Sequence, residues 1–168
     1  REKDIEKLCK KLNVTFKYFD DICLFKPGTL LTTTNKIYQK FTPFYNLCLT
    51  QKVNEPKTLK NIKEKSKKIK SKYLINKSEI DKYYKHNPQL NIKGGRKEAL
   101  KILKSIDKFK SYDKTRNTLA IETTHLSGYL KFGCLSIREV YHKFKKKFGK
   151  KDPLIRQLIW RDFYYHLG

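Results

Sequence analysis

The sequence has no methionine, a single tryptophan and only seven glycines among its 168 residues. It contains no apolar run near the roughly 18 residues that a membrane-spanning helix needs, and it does not open with a secretory signal peptide. The four cysteines are far apart and form no C-x-x-C pair. This spacing argues against a zinc site or a disulfide framework, and it favours buried, unpaired thiols in an intracellular protein. The cysteines are Cys9, Cys23, Cys48 and Cys134.

Acidic residues are also scarce, because 16 Asp and Glu stand against 40 Lys and Arg, for a formal net charge of +24. Such an excess of one sign favours contact with a polyanion, such as nucleic acid, nucleotide phosphates or an anionic membrane. The aromatic content of 13% is too high for a disordered basic tail. Only six of the basic residues are Arg, and five of these follow residue 95. Since Arg can bind an anion through two parallel hydrogen bonds, bidentate anion recognition is expected in the second half.

The apolar pattern predicts a mostly helical chain with one strand near its start. Val14, Phe16 and Tyr18 alternate with their neighbours and predict a strand over 14–19. A helix followed by this strand would be a fragment of an α/β unit. Helices are predicted over 2–12, 42–52 (opened by Thr42-Pro43), 78–85, 96–109 and 126–131, from Ser136, and from Asp152-Pro153 to about residue 167.

A lysine-rich tract divides the sequence. Between Lys60 and Lys72 there are seven Lys, one Glu and only two apolar residues. Such a tract is typical of a charged linker between domains, or of a segment that binds nucleic acid. The linker interpretation is favoured, because neither Arg nor an aromatic residue is interleaved with the lysines. The sequence therefore divides into regions 1–50, 51–77 and 78–168.

Three hydroxyl groups, of Thr123, Thr124 and Ser127, lie just before or at the start of the helix predicted over 126–131. Hydroxyls and free backbone N–H groups at a helix start can bind a phosphate or a pyrophosphate. The alternative is ordinary helix capping with surplus hydroxyls, which the local pattern taken alone favours.

The last predicted helix carries an unusual face, since Gln157, Trp160, Arg161 and Tyr164 are spaced to lie together. An amide, the only Trp, an Arg and a Tyr suit a pocket that stacks a planar ring and pairs a phosphate. Alternatively, Trp160 belongs to the core and Arg161 forms a surface ion pair. The spacing alone does not decide between the two.

Arg116, which follows Tyr112 in a polar stretch, is a candidate contact to a nucleic-acid phosphate. The alternative is a solvent-exposed Arg. His86, His142 and His166 have no paired ligands nearby and are expected on the surface or in packing. The sequence contains no nucleophile–base pair, no metal-binding motif and no P-loop.

Four stretches of the second half occur in a recognisable order and spacing: GGRKEAL (94–100), Tyr112–Arg116, TTHLSGYLKFGCLS (123–136) and QLIWRDFYYH (157–166). They resemble the flavin-binding helical domain of the DNA photolyase/cryptochrome family. Residues 14–49 resemble the end of the family's α/β antenna domain, and the lysine-rich tract falls at the family's interdomain linker. The resemblance implies a mostly α chain: a remnant of the α/β antenna domain (1–50), the linker (51–77) and the first part of the helical FAD-binding domain (78–168).

The resemblance assigns roles to matching positions. FAD would be bound by Tyr112, Thr123, Thr124, Leu126, Ser127, Gln157 and Arg161, with the hydroxyls and Arg161 at its diphosphate. UV-damaged DNA would be contacted by Arg116, Gln157, Trp160, Arg161 and Tyr164, with the damaged bases flipped out of the duplex. The implied reaction is that of a deoxyribodipyrimidine photolyase, in which light drives an electron from reduced FAD to the pyrimidine dimer. No catalytic residue and no metal ligand is assigned within this chain.

Some positions depart from the pattern of the dimer enzymes. Gln157 stands where cyclobutane-dimer photolyases usually carry Glu, and resembles the (6-4) photolyase and animal-type cryptochrome branch. Leu154 stands where the dimer enzymes often have an aromatic residue, and Gly128 replaces a common Pro. Two alternatives to repair therefore stay open: a cryptochrome-like blue-light flavoprotein without repair activity, and a flavin-free basic nucleic-acid-binding relic.

The resemblance covers nearly the whole chain but only part of the family's fold. We therefore expect a fragment, one half of a split gene or a decayed copy, in which a C-terminal half, carried for example by a second polypeptide, completes the FAD site. A second antenna chromophore would be bound by the absent N-terminal region. The protein is expected inside the cell, in the cytoplasm or nucleus where DNA lies, and not at a membrane.

Overall fold

The computed structural model describes residues 2–57, 73–85 and 87–168, which form helices joined by loops. The predicted linker lies outside the described residues over positions 58–72, and so does His86. The mostly helical structure confirms the predicted fold class. The α-helices are α1 (Glu2–Lys11), α2 (Phe41–Thr50), α3 (Lys77–Asp81), α4 (Arg96–Lys104), α5 (Tyr112–Thr115), α6 (Leu126–Lys131), α7 (Ile137–Phe148) and α8 (Pro153–Leu167), with a 3₁₀ turn at Ile106–Phe109.

Helix α8 is packed on by α2, α5 and α7. It begins where the sequence predicts, because the Asp152 carboxylate accepts a hydrogen bond from the Leu154 backbone N–H at 2.8 Å and Pro153 occupies the first helical turn. Seven of its side chains are buried: Leu154, Ile155, Leu158, Ile159, Asp162, Phe163 and His166. Because three helices pack on α8, the positions of its side chains, including Gln157 and Arg161, are fixed relative to these helices.

The hydrophobic core joins the first and second halves of the chain. Phe44 of α2, Val140 of α7 and Ile155 of α8 are each fully enclosed. Buried side chains of α4 and α6 belong to the same cluster. Burying a side chain of this size contributes about 1.5–3 kcal/mol, so this common core holds α2 against the later helices. Helix α2 lies within region 1–50, and it shares this core with helices of region 78–168. The domain boundary at residue 50 stays a prediction.

Helix α2 starts one residue before the predicted cap at Thr42, and this prediction is wrong in detail. Phe41 is its first residue, and Lys40 before it forms no side-chain cap bond. The Phe41 ring is buried and stacks on the Trp160 indole, with ring centroids 3.6 Å apart and planes 6° from parallel. Packing against α8 therefore sets the start of this helix, and a local capping pattern does not.

The predicted strand over 14–19 is also wrong, because the structure assigns no strand to these residues. Val14, Tyr18 and Phe19 are exposed. A strand requires backbone hydrogen bonds to a neighbouring strand, whereas the Val14 backbone N–H of this segment donates to the Cys9 carbonyl at the end of α1. Alternation of side chains therefore occurs here without a sheet.

Two helices differ in length from their predictions. Helix α4 ends at Lys104, where the Ser105 hydroxyl donates to the Lys101 carbonyl at 3.0 Å and the chain tightens into the 3₁₀ turn. Helix α3 covers only Lys77–Asp81. Helix α1 agrees with its prediction but buries no side chain. None of the described helices is long and apolar enough to cross a membrane.

The cysteines are free thiols, but only two of them are buried as predicted. Cys23 and Cys48 are enclosed, whereas Cys9 and Cys134 are partly exposed. Burial raises the pKa of both Cys23 and Cys48 to about 12. These two thiols are therefore protonated at neutral pH and act as apolar core groups.

Candidate functional site

One cavity of about 290 Å³ brings together three segments that are distant in sequence. We call it the hydroxyl pocket, after the hydroxyl groups of Thr123, Thr124 and Ser127 in its wall. All seven residues that the resemblance assigns to FAD line it. Its lining consists of Tyr112, Thr123, Thr124, His125, Leu126, Ser127, Leu130, Phe144, Leu154, Gln157, Leu158 and Arg161.

A tight turn before α6 presents the hydroxyl side of the pocket. His125 has a left-handed backbone with φ of 48°, which is uncommon for a residue other than glycine. The Thr124 hydroxyl accepts a weak hydrogen bond from the Leu126 backbone N–H at 3.5 Å. Leu126 and Tyr129 of α6 are buried, and the Tyr129 hydroxyl donates to the Lys93 carbonyl at 2.6 Å. Packing of α6 thus holds the turn in place.

The lining of the hydroxyl pocket suits a phosphate-bearing ligand with an apolar part. Three hydroxyls, the Gln157 amide and the Arg161 guanidinium supply hydrogen-bond donors, and none of the lining residues is acidic. Leucine side chains and Phe144 supply the apolar wall. The volume lies at the low end of the roughly 300–1,000 Å³ of small-molecule sites. The residues present therefore fit one portion of a dinucleotide such as FAD, and the remainder of FAD would extend beyond this pocket.

Arg161 lies between the hydroxyl pocket and a second cavity of about 380 Å³. Its Nη1 donates to the Ile22 carbonyl at 2.6 Å, and its guanidinium lies over the Tyr165 ring at 4.8 Å from the centroid. Guanidinium carries five N–H donors, so this bond leaves others for a ligand. The surface ion pair considered from the sequence is not what holds this side chain, because its nearest carboxylate oxygen, on Asp162, is 3.9 Å away.

Trp160 does not line the hydroxyl pocket. Besides its stack on Phe41, it lies 5.7 Å from the Tyr164 ring, with planes 25° apart. Tyr164 is 65% exposed and ends this aromatic stack at the surface. The contacts of Trp160 are therefore those expected of a core residue. Tyr164 is the ring of this stack that is accessible to solvent. Sequence reasoning missed Phe41, because no local pattern pairs residues so far apart.

Arg116, His142 and His166 lie apart from the hydroxyl pocket. Arg116 follows the last residue of α5, partly exposed, with its Nε 3.9 Å from Asp113. His142 Nδ1 lies 3.1 Å from a Glu55 carboxylate oxygen. His166 packs its ring against Phe44. Within 2–57, 73–85 and 87–168, no three His, Cys, Asp or Glu side chains come together in a way that could hold a metal ion.

Comparison with known proteins finds photolyases and cryptochromes as relatives of this chain. Residues 1–64 match the family model described as DNA photolyase. Over 99% of its length the chain is 28% identical to the deoxyribodipyrimidine photo-lyase of Buchnera aphidicola. It is 37% identical over 43% of its length to Cryptochrome-1 of Erithacus rubecula, and 39% identical over 49% to the (6-4)DNA photolyase of Arabidopsis thaliana. The chain is thus similar to DNA photolyases and cryptochromes.

The photolyase/cryptochrome relatives are much longer than this chain. The matched region covers 37% of the Buchnera protein, 18% of the Arabidopsis protein and 14% of the Erithacus protein. No solved structure matches the chain significantly. The relatives include both photolyases and cryptochromes, so the similarity does not decide between these two activities.

Proposed function

We propose that the chain binds the diphosphate portion of FAD in the hydroxyl pocket and serves light-dependent repair of pyrimidine dimers in DNA. The observation that supports this most is the convergence of Tyr112, the hydroxyl segment and α8 on one pocket. These segments match the family's flavin-binding motifs and lie far apart in sequence. They surround the pocket with hydrogen-bond donors, and none of the lining residues is a carboxylate. An anionic cofactor requires such an environment.

Each side chain of the pocket has a distinct task in this proposal. The hydroxyls of Thr123, Thr124 and Ser127 donate to phosphate oxygens, and Arg161 adds charge-assisted hydrogen bonds, which are about twice as strong as neutral ones. Gln157 offers its amide beside them. When bound in reduced form, FAD would supply the light-driven electron transfer to the dimer. The protein contributes placement, exclusion of water and a positive field.

DNA binding in this proposal uses charge first and aromatic stacking second. A net charge of +24 attracts the phosphate backbone. Arg116 is exposed, and its guanidinium, whose Nε lies 3.9 Å from Asp113, is assigned to a backbone phosphate. The exposed Tyr164 ring, backed by Trp160, offers a stacking surface for a base taken out of the duplex. Lesion recognition is therefore assigned to Tyr164 more than to Trp160.

A cryptochrome-like photoreceptor is the second candidate, and two observations favour it: Gln157 and the match to Cryptochrome-1. The candidates differ in their behaviour toward damaged DNA. A repair enzyme binds UV-damaged DNA more tightly than undamaged DNA and restores it under blue light. A flavoprotein without repair binds FAD and leaves the lesion intact. A flavin-free basic module binds DNA in a salt-sensitive, lesion-blind manner.

Flavin retention tests the cofactor proposal. The purified chain is incubated with FAD and desalted, and its absorption spectrum is expected to show bound flavin. Arg161→Ala is expected to raise the Kd for FAD at least about tenfold, because hydrogen bonds to charged groups contribute about 1.5–3 kcal/mol each. Arg156→Ala is the matched control, since Arg156 lies on the same helix over the Phe41 and Tyr45 rings, outside the pocket lining. Equal losses in the two variants would contradict the phosphate role.

Tyr164→Ala tests the stacking surface. We expect its preference for UV-damaged over undamaged duplex DNA to fall about five- to tenfold or more, because base–aromatic stacking contributes about 1–3 kcal/mol. Affinity for undamaged DNA should change little, since that binding is electrostatic. Tyr83→Ala, at a ring that is 93% exposed, is the control and should leave the preference unchanged. A proportional loss of both affinities in Tyr164→Ala would argue against a stacking role.

A further inference from the structure

Asp162 is a buried carboxylate that holds a distant loop. Its side chain is fully enclosed on α8, and its Oδ2 accepts hydrogen bonds from the backbone N–H groups of Leu24 at 2.7 Å and Phe25 at 3.2 Å. Its Oδ1 has no hydrogen-bond partner. Burying a carboxylate is costly unless it is hydrogen-bonded and paired with an opposite charge. None of the proposed contacts to FAD or DNA uses Asp162 directly.

The same loop supplies the contact that holds Arg161. The carbonyl of Ile22, two residues before Leu24, accepts from Arg161 Nη1 at 2.6 Å. Asp162 and Arg161 are adjacent on α8, and both form hydrogen bonds with backbone groups of this loop. Arg161 also lines the hydroxyl pocket. The loop therefore links a side chain outside the pocket to one inside it.

A second helix anchors the start of the loop independently. Arg138 of α7 donates from Nη1 to the Asp21 carboxylate at 2.8 Å and from Nη2 to the Asp20 carbonyl at 3.0 Å. Its side chain is only 17% exposed. Because Arg138 holds residues 20–21, loss of the Asp162 contacts is expected to free only the backbone of residues 22–25, while the side chains of Cys23 and Leu24 stay in the core.

We propose that Asp162 is a positioning residue for Arg161: by holding Leu24 and Phe25 it places the Ile22 carbonyl to take one edge of the guanidinium, and so turns the remaining N–H groups toward an anion in the hydroxyl pocket. The proposal rests on the proposed function for the identity of that anion, the FAD diphosphate. The proposal explains why a carboxylate is buried at this position, since hydrophobic packing alone would not require one. It also makes residues 22–25 part of the pocket's support, although only Arg161 touches the ligand.

A thermodynamic cycle tests this role with FAD as the ligand and the full chain as the protein. Asp162→Ala is expected to raise the Kd for FAD about fivefold or more. Asp162→Asn, which keeps an oxygen for the two N–H groups, is expected to restore the Kd to within about twofold of the unmutated chain. Adding Asp162→Ala to Arg161→Ala should cause no further loss, because the effect passes through Arg161. Equal losses with and without Arg161, or failure of Asp162→Asn to restore binding, would overturn the proposal.

A measurement without flavin separates this inference from the proposed function. The N–H resonance of Arg161 Nη1, which donates to the Ile22 carbonyl, is expected to exchange slowly with solvent in the unmutated chain and in Asp162→Asn, and at least about tenfold faster in Asp162→Ala. Unchanged exchange in Asp162→Ala would overturn the positioning role even if FAD binds. If the unmutated chain retains no FAD, the proposed function fails, while this resonance still decides whether Asp162 positions Arg161.

Discussion

Replacing Asp162 by Asn is expected to remove a pH dependence of about 3 kcal/mol from the free energy of unfolding between pH 5 and pH 8. Burial raises the pKa of the Asp162 carboxyl from its ordinary value of 3.8 to about 7, although the N–H groups of Phe25 and Leu24 and the nearby Arg161 guanidinium lower it. A shift of this direction means that the folded chain holds a proton that the unfolded chain has released.

The sign follows from that difference in bound protons. Between about pH 4 and pH 7 the folded state binds one more proton than the unfolded state at Asp162, so stability falls by about 1.4 kcal/mol for each unit of rising pH. The contribution is fully present below pH 4 and is lost as the pH rises through about 7. Asn cannot titrate, and it keeps an oxygen for Leu24 and Phe25. Its variant should therefore gain on the unmutated chain as the pH rises.

Urea unfolding at pH 5, 6, 7 and 8 measures this effect in both chains. Their difference isolates Asp162, because every other side chain, including His166, whose ring hydrogen-bonds the Asp162 carbonyl, is common to both. We expect the difference to grow by roughly 3 kcal/mol from pH 5 to pH 8. A constant difference, or one of opposite slope, would show that the carboxyl titrates at an ordinary or lowered pKa and that burial does not dominate.

Trp160→Ala is expected to lower the free energy of unfolding by about 3 kcal/mol, the low end of the cost of truncating a large buried aromatic. The low end applies because Trp160 is partly exposed. Its indole covers the buried Phe41 ring face to face and touches Phe163 edge-on. Removal would leave a void where α2 packs on α8. Urea unfolding with an unchanged slope measures the loss.

Two further variants separate the packing role of Trp160 from recognition of DNA. Trp160→Phe keeps a flat ring on Phe41 and should recover at least about half of the lost stability. Tyr164→Ala, at an exposed ring, should cost under about 1 kcal/mol while reducing lesion preference. A Trp160→Ala chain of unchanged stability but reduced lesion preference would instead return Trp160 to the lesion surface.

Local patterns predicted much of the helical structure. Asp152 and Pro153 marked the start of α8, and the apolar periodicity marked α4, because caps and helical periodicity act within a few residues. The strand over 14–19 failed for the converse reason, since a strand depends on a partner that no local pattern supplies. The start of α2 failed because the packing of Phe41 on Trp160 overrode the preference of Thr42 and Pro43.

The candidate site divides in the same way. The family resemblance assigned Thr123, Thr124, Ser127, Gln157 and Arg161 to one FAD site, whereas their local pattern alone left helix capping and core packing open. Only the tertiary structure decided that these residues line one pocket, that Trp160 is covered by Phe41, and that Arg161 is held by the Ile22 carbonyl. Spacing along a helix determines which side chains share a face. Which distant backbone group meets that face depends on the packing of the whole chain, and sequence separations of more than a hundred residues leave no local trace of it.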